Sequence, residues 1–306
     1  MRYDLVVIGS GPAGEKGAAQ AAYFGRRVAL IERASVVGGA SVNTGTIPSK
    51  TLRESALHLS GFRQRNLYGV DLSLRKDLTV ADLMYRKQQV VEREWERVEE
   101  NLERHQVHRF HGTARFRSPQ EIVVSSEAGE EVVEADVILI ATGSSPYHPP
   151  GIPFDHRLIY DSDSILHLDR IPESLVVVGA GVIGCEYASI FAALGVRVTL
   201  VDGRSELLGH VDRELLEVLL ETFRHRLKIE IRLGSDVARF DARDDGVVLH
   251  LGDGSRIESA RALIAAGRQS NTVELDLDAA GVIVGKRGLI PVDERYQTNV
   301  PGIYAA

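Results

Sequence analysis

Gly9, Gly11 and Gly14 follow the apolar run Leu5–Gly9 in G-x-G-x-x-G spacing. A short continuous apolar run is what a buried parallel strand requires. Pro12 and Ala13 fill the loop, and Pro12 suits a first helical turn, where its missing N–H costs nothing. The alanine-rich stretch to Phe24 reads as that helix, with Gly25 as its stop, and Val28–Ile31 reads as a second strand ending at Glu32 and Arg33. The chemistry of such a unit is dinucleotide binding. The glycines permit a tight turn and close approach of a pyrophosphate, the helix N-terminus favours its charge, and Glu32 can accept from a ribose diol.

The same unit begins again at Leu175. Residues 5–32 and 175–202 align without a gap, and twelve of the 28 positions are identical. Gly179, Gly181, Ile183 and Gly184 lie in the repeated loop, and Asp202 stands where Glu32 did. An internal repeat of this kind makes chance occurrence of the motif untenable. Two units imply two nucleotides, which suits hydride transfer between them. Asp202 alone favours NAD, because a carboxylate repels a 2′-phosphate. Arg204 is either a surface arginine or a bidentate partner for that phosphate, and an Asp–Arg pair would admit both NAD and NADP.

Elements must position these loops. Thr79 and Asp82 make a capping-box-like start. Met84, Val91, Trp95, Val98 and Leu102 then predict one amphipathic helix to about His105. Phe110–Phe116, Glu121–Val124 and Val132–Ile140 read as strands, the last entering Ala141-Thr142-Gly143-Ser144. Prolines 146, 149, 150 and 153 mark a linker. Asp161-Ser162-Asp163-Ser164 reads as a helix cap and surface loop rather than a metal site, since no further ligands have suitable spacing. Leu215–Phe223 predicts a helix, Lys228–Arg232 and Ala262–Gly267 strands, and Val247–Leu251 with Arg256–Ser259 a hairpin across Gly252-Asp253-Gly254.

Composition narrows the classes. The chain has 306 residues and a net charge of -7, which gives no sign of nucleic-acid binding. No apolar run approaches the ~20 residues of a membrane helix, and Met1 runs straight into the first strand-like run without a basic n-region and apolar h-region, so no signal peptide is expected. Cys185 is the one cysteine, so no intrachain disulfide can form among these residues, which fits a reducing cytoplasm. Its neighbours read it as a small packing residue.

Gly38–Lys50, reading GGASVNTGTIPSK, resembles the active-site segment GG-x-C-x-N-x-G-C-IPSK of the pyridine nucleotide–disulfide oxidoreductases, with Ser41 and Thr46 at the two cysteine positions. The ATG segment at Thr142 and Gly143, AAGRQSN around Gly267, and YQTNVPGIYAA at the end resemble further motifs of that family. The resemblance implies an α/β fold of two Rossmann-like domains, the second inserted in the first. It places a first part of the FAD domain at 1–148, the NAD(P) domain at 149–271 and a return to the FAD domain at 272–306. FAD would lie on Gly9, Gly11, Gly14, Glu32 and the stretch Gly38, Gly39, Ala40 and Ser41, with Thr113 and Ala114 meeting the adenine. Lys50 and Glu186 match a Lys–Glu pair that stands beside the flavin N5 in the family and stabilises the anionic reduced ring.

Without two cysteines the flavin must pass its electrons on directly. This segment and others, such as GAGVIGCEYASIF, look close to the soluble transhydrogenase branch, from which Ser41 departs, so the resemblance implies ping-pong transfer from NADPH through FAD to NAD+, without a redox disulfide and without a metal. An NAD(P)H oxidase or diaphorase, or a non-catalytic nucleotide-binding remnant, are the alternatives. In the family a C-terminal interface domain builds a homodimer; this chain is expected to be incomplete at its C-terminus, so a homo-oligomer is expected only where that domain is present.

Overall fold

The computed structural model describes residues 1–63 and 80–306. In chain order the elements begin with β1 (Arg2–Ile8), α1 (Pro12–Tyr23), β2 (Val28–Glu32), α2 (Gly39–Asn43), α3 (Thr46–Arg63), α4 (Val80–Arg104), β3 (His108–His111), β4 (Thr113–Ser118), β5 (Glu121–Ser126), β6 (Gly129–Ile140) and β7 (Ser144–Pro146). They continue with β8 (Ile159–Tyr160), β9 (Ser174–Val178), α5 (Val182–Ala193), β10 (Arg197–Asp202), α6 (Arg213–Glu221), β11 (Glu230–Leu233), β12 (Val237–Ala242), β13 (Val247–Leu251), β14 (Arg256–Ser259), β15 (Arg261–Ile264), β16 (Arg268–Ser270) and β17 (Ile303–Ala305). The chain divides into two units. The first holds Met1–Ile47, Gln89–Ser145 and Arg268–Ala306; the second holds Pro48–Gln88 and Pro146–Gly267. The second is thus inserted in the first.

In the first unit β3, β2, β1 and β6 run parallel in that spatial order. Side chains alternate across the sheet: Val6 and Ile8 enter one core with Ile31, Ile138 and Ile303, while Val7 enters another with Leu30, Val98 and Leu102. Burial on both faces is why β1 and β2 read as unbroken apolar runs. β6 is long enough to serve two neighbours along one side. Its first half pairs antiparallel with β5, which pairs with β4, and its last residues pair parallel with β17. α4 lays Val91, Val98 and Leu102 inward, as the periodicity predicts; the expected cap residue Thr79 lies outside the described residues. The single strand expected over Phe110–Phe116 is two. The Gly112 N–H donates to the Glu32 carbonyl at the end of β2, and Thr113 then turns to pair with Ser125 of β5.

The second unit has a parallel sheet in the order β11-β10-β9-β15-β8 and an antiparallel sheet β12-β13-β14. The latter contains the expected hairpin. Leu175 pairs with Val198, and in the first unit Leu5 pairs with Val28, so the register repeats with the sequence. Residues 48–88 were read with 1–148 from the motif order. Leu52 and Ala56 of α3, however, pack in the second unit's core with Leu175, Ala188 and Phe191. The helix expected over Leu215–Phe223 is α6 followed by a π-helical turn at Thr222–Arg226. The strand expected at Lys228 starts at Glu230, and that expected over Ala262–Gly267 is β15, which ends at Ile264.

Candidate nucleotide sites and the Lys50–Glu186 pair

In the first unit, β1 ends in the glycine loop and α1 starts at once, with Gly11 as its N-cap and Pro12 at its first position. Gly14 packs the helix against the strand end: a Cβ there would lie 1.9 Å from the Gly9 carbonyl oxygen. Glu32 at the tip of β2 reaches back to this loop. Its Oε2 accepts from the Ser10 amide at 2.8 Å and the Ser10 hydroxyl at 2.6 Å, and its Oε1 accepts from the Ala34 amide at 2.8 Å. Ser10 is fully buried and also accepts from the Gly38 amide, through its carbonyl at 3.1 Å and its hydroxyl at 3.2 Å. One hydroxyl thereby joins the loop, the acid and the Gly38 segment. A Cβ on Gly39 would stand 2.8 Å from Gly11 Cα, so two bare backbones meet beside a helix N-terminus. That fits the pyrophosphate of a dinucleotide, which needs close backbone approach and positive potential.

The second unit repeats the construction. Gly181 caps α5, a Cβ on Gly184 would lie 1.7 Å from the Gly179 oxygen, and Ile183 is half-buried against the core. Asp202 Oδ2 accepts from the Ala180 amide at 2.5 Å, and Oδ1 from the Arg204 amide at 2.8 Å. These are the two backbone bonds that Glu32 makes, from positions equivalent to Ser10 and Ala34. Arg204 adds a fork, Nε to Oδ1 at 3.0 Å and Nη2 to Oδ2 at 2.7 Å. Burial would raise the Asp202 pKa, but the guanidinium and the two amides outweigh it and hold the carboxyl below its ordinary value. Sequence reasoning allowed Arg204 to be a bare surface residue; it is bonded to the acid.

Gly38–Lys50 forms α2 and the start of α3. Asn43 shapes it, donating to the Val37 oxygen at 3.0 Å and the Gly39 oxygen at 2.9 Å while accepting from Trp95 Nε1 at 2.8 Å. Ser41 lies half-buried on α2 beside Ala40, and Thr46 opens α3. Lys50 and Glu186 both belong to the second unit. Lys50 Nζ donates to Glu186 Oε1 at 2.6 Å, and Ser49 Oγ approaches the same oxygen at 3.3 Å. Glu186 lies half-buried on α5, where the next residue, Tyr187, is buried and donates its hydroxyl to the Ser162 carbonyl at 2.9 Å.

Thr142 and Gly143 are held from a distance within the first unit. Asn271 Nδ2 donates to the Thr142 oxygen at 3.0 Å, its amide donates to the Gly143 oxygen at 3.0 Å, and Arg268 Nε donates to Ser144 Oγ at 2.8 Å. Gly267 accepts from the Tyr147 amide in the second unit. Thr113 and Ala114 start β4, the latter buried, and Arg33 is paired with Glu274. Asp161 caps the turn at Ser164, as expected, accepting from the Asp163 and Ser164 amides. The turn is not on the surface: Asp161 and Ser162 are buried, and His148 Nε2 lies 2.7 Å from the carboxylate. Among the described residues no three His, Cys, Asp or Glu groups are arranged to hold a metal, and no helix is long and apolar enough to cross a membrane.

Ser10, Asn43, Arg268 and Asn271 are the organising side chains that sequence reasoning missed. All four sit inside motifs that were recognised, where a polar residue with a partner far along the chain was the available signal.

Cys185 packs in the second unit's core, and burial pushes its thiol up to about 11. At pH 7–8 the thiolate is therefore a negligible fraction. Alkylation of the native chain with iodoacetamide is expected to leave Cys185 unmodified over an hour, while the same chain in urea labels fully. Labelling of the native chain at the free-thiol rate, read by intact mass, would refute the buried assignment.

Residues 3–306 match the family described as pyridine nucleotide-disulphide oxidoreductase. The chain is 47% identical over 305 residues to the soluble pyridine nucleotide transhydrogenase of Mycobacterium bovis strain BCG, and 42% identical to that of Pseudomonas putida strain W619. Each alignment covers 99% of this chain and 65% of the relative, so the chain spans about two thirds of the length of these proteins. Among solved structures it is similar to LpdA of Mycobacterium tuberculosis, with TM-score 0.90, 28% identity, and coverage of 100% of this chain and 67% of that one. It is also similar to the HOCl-induced flavoprotein disulfide reductase RclA of Escherichia coli, solved as a Cu(II) complex, with TM-score 0.86, 31% identity, and coverage of 100% and 65%. Two glycine-loop-and-acid cradles of one design, the inserted second unit and the match across 3–306 agree: the chain belongs to the pyridine nucleotide–disulphide oxidoreductase family.

Proposed function

We propose that this chain carries the nucleotide-binding part of a flavin-dependent soluble transhydrogenase, with FAD on the first unit and NAD or NADP on the second. The observation that carries this reading is the pair of matched acid-and-glycine cradles in a sequence with a single, buried cysteine. The relatives named transhydrogenase support the same choice. Bound FAD would supply the chemistry of accepting a hydride from one nicotinamide and passing it to another, in a ping-pong cycle that needs no dithiol. Glu32 holds the adenosine ribose of the first nucleotide, and Gly9, Gly11, Gly14 and Gly38–Ser41 admit its pyrophosphate. Gly179, Gly181, Gly184 and Asp202 do the same for the second. Lys50 offers a fixed positive charge, oriented by Glu186, for the negative charge that hydride transfer develops. Neither Ser41 nor Thr46 can store electrons, which closes the route to a disulfide substrate.

The test is anaerobic mixing of the FAD-loaded chain with NADPH, followed by an NAD+ analogue of shifted absorbance. NADPH is expected to bleach the flavin and the analogue to restore it while becoming reduced. Recovery by oxygen or a quinone but not by the analogue would replace the reading with an oxidase or diaphorase. A chain that cannot be loaded with FAD at all would reject it.

A further inference from the structure

The two cradles share their backbone bonds but differ in how far the acid is already occupied. An ionised carboxylate offers about four acceptor positions. Glu32 has three filled: the Ser10 amide and hydroxyl on Oε2 and the Ala34 amide on Oε1. One direction on Oε1 is left for a ribose diol. Asp202 has four filled: the Ala180 amide and Arg204 Nη2 on Oδ2, and the Arg204 amide and Nε on Oδ1. No direction is left. The repeat explains the exchange, since Ser10 corresponds to Ala180, which has no hydroxyl to give, and the Arg204 side chain supplies the further donors.

We infer that the Arg204 guanidinium is a built-in competitor for the ribose hydroxyls at the second site, so that this one residue sets the balance between NAD and NADP. The inference rests on the proposal that the second unit binds the nicotinamide nucleotide through Asp202. NAD must displace the guanidinium to reach the carboxylate, and the displaced arginine gains no partner. NADP displaces the same group, but its 2′-phosphate receives it as a bidentate pair. The side chain is free to make this exchange: Arg204 is 59% exposed while Asp202 is 8% exposed. Asp202 keeps both amide donors throughout, so it is never left buried without partners. A Cβ on Gly181 would lie 4.0 Å from Arg204 Nη2, which places the guanidinium beside the glycine loop itself. The first site has no such gate, which suits a resident cofactor there and an exchanging substrate at the second.

The FAD-loaded chain is titrated calorimetrically with NAD+, NADP+ and an NAD+ whose adenosine ribose lacks both hydroxyls. Arg204→Ala is expected to tighten NAD+ about three- to fivefold, the scale of an exposed ion pair, and to weaken NADP+ about ten- to hundredfold, the scale of charged hydrogen bonds. For the dideoxy nucleotide the variant is expected to give no gain. Arg204→Lys, which cannot form the fork, is expected to fall between. If Arg204→Ala leaves NAD+ unchanged or weaker while NADP+ weakens, the arginine is a phosphate ligand only and the competition is refuted. If the unsubstituted chain binds neither nucleotide, the assignment of the second unit fails and the inference with it. Far-ultraviolet circular dichroism checks the fold of each variant.

Discussion

Gly184→Ala is expected to abolish nicotinamide-nucleotide binding while leaving FAD on the first unit, and Gly14→Ala to strip FAD while leaving the second site able to bind. The added Cβ would lie 1.7 Å from the Gly179 oxygen in one case and 1.9 Å from the Gly9 oxygen in the other. Both are far inside the 3.0 Å that carbon and oxygen tolerate, and the colliding atom is backbone at a strand end. Neither loop can yield by a side-chain rotation. The Gly9 amide donates to Ile31 and the Gly179 amide to Val201, each at 2.8 Å, which fixes both loops to their sheets. The helix must therefore move off the strand, opening the angle at which its N-terminus meets the loop. Overpacking of this kind costs about 1–3 kcal/mol, and more where backbone must move. The measurement is flavin content after gel filtration together with NAD(P)+ titration and thermal unfolding of each variant. Loss of both nucleotides from either substitution would show that the two cradles are not separable.

Lys50→Met is expected to lower turnover about a hundredfold, in the range seen when one preorganised charge or donor is removed from a reacting centre. Nucleotide affinities are expected to change by less than about twofold. Methionine keeps the length of the side chain and removes the ammonium. The Lys50 side chain is 57% exposed, and Glu186, at 19%, keeps the Ser49 hydroxyl as a donor, so little stability is at stake. Glu186→Gln is expected to fall between the Lys50→Met variant and the parent, because the ammonium remains but loses the carboxylate that holds it at 2.6 Å. Single-turnover reduction by NADPH separates the two effects from binding. A Lys50→Met chain with undiminished turnover would reduce the pair to an ordinary surface ion pair.

Much of this architecture is written locally. Glycine spacing, the apolar runs of β1 and β9 and the acids that end β2 and β10 each report a nearest-neighbour requirement, and their repetition at a constant offset doubles the signal. The bonds that finish the sites are not local. Asn271 reaches Thr142, Arg268 reaches Ser144 and Trp95 reaches Asn43. No periodicity encodes such partners. The same limit explains Phe110–Phe116, where an unbroken strand-like run changes neighbours at Gly112. It also explains Asp161, whose polar surroundings in sequence suggest a surface loop. In the fold its carboxylate is buried because Asp163, Ser164 and His148 all donate to it. Occupancy of Asp202 by Arg204 lies between the two cases. The residues are two apart, and their proximity was legible; whether the arginine faces the acid or the solvent was decided by geometry.

The shared flank of β6 imposes an order on synthesis. Ile138–Ile140 are made early, yet the partner they pair with on that side, Ile303–Ala305, emerges after every residue of the second unit. A ribosome-bound chain therefore holds a parallel sheet with one open lane for as long as the inserted unit takes to be translated. An uncovered hydrogen-bonding edge beside apolar side chains is a template for another chain, and non-local closure is slow. Folding of the insert during that interval shortens the loop the last strand must close. Closure of that lane by Ile303–Ala305 thus waits on translation of the whole second unit.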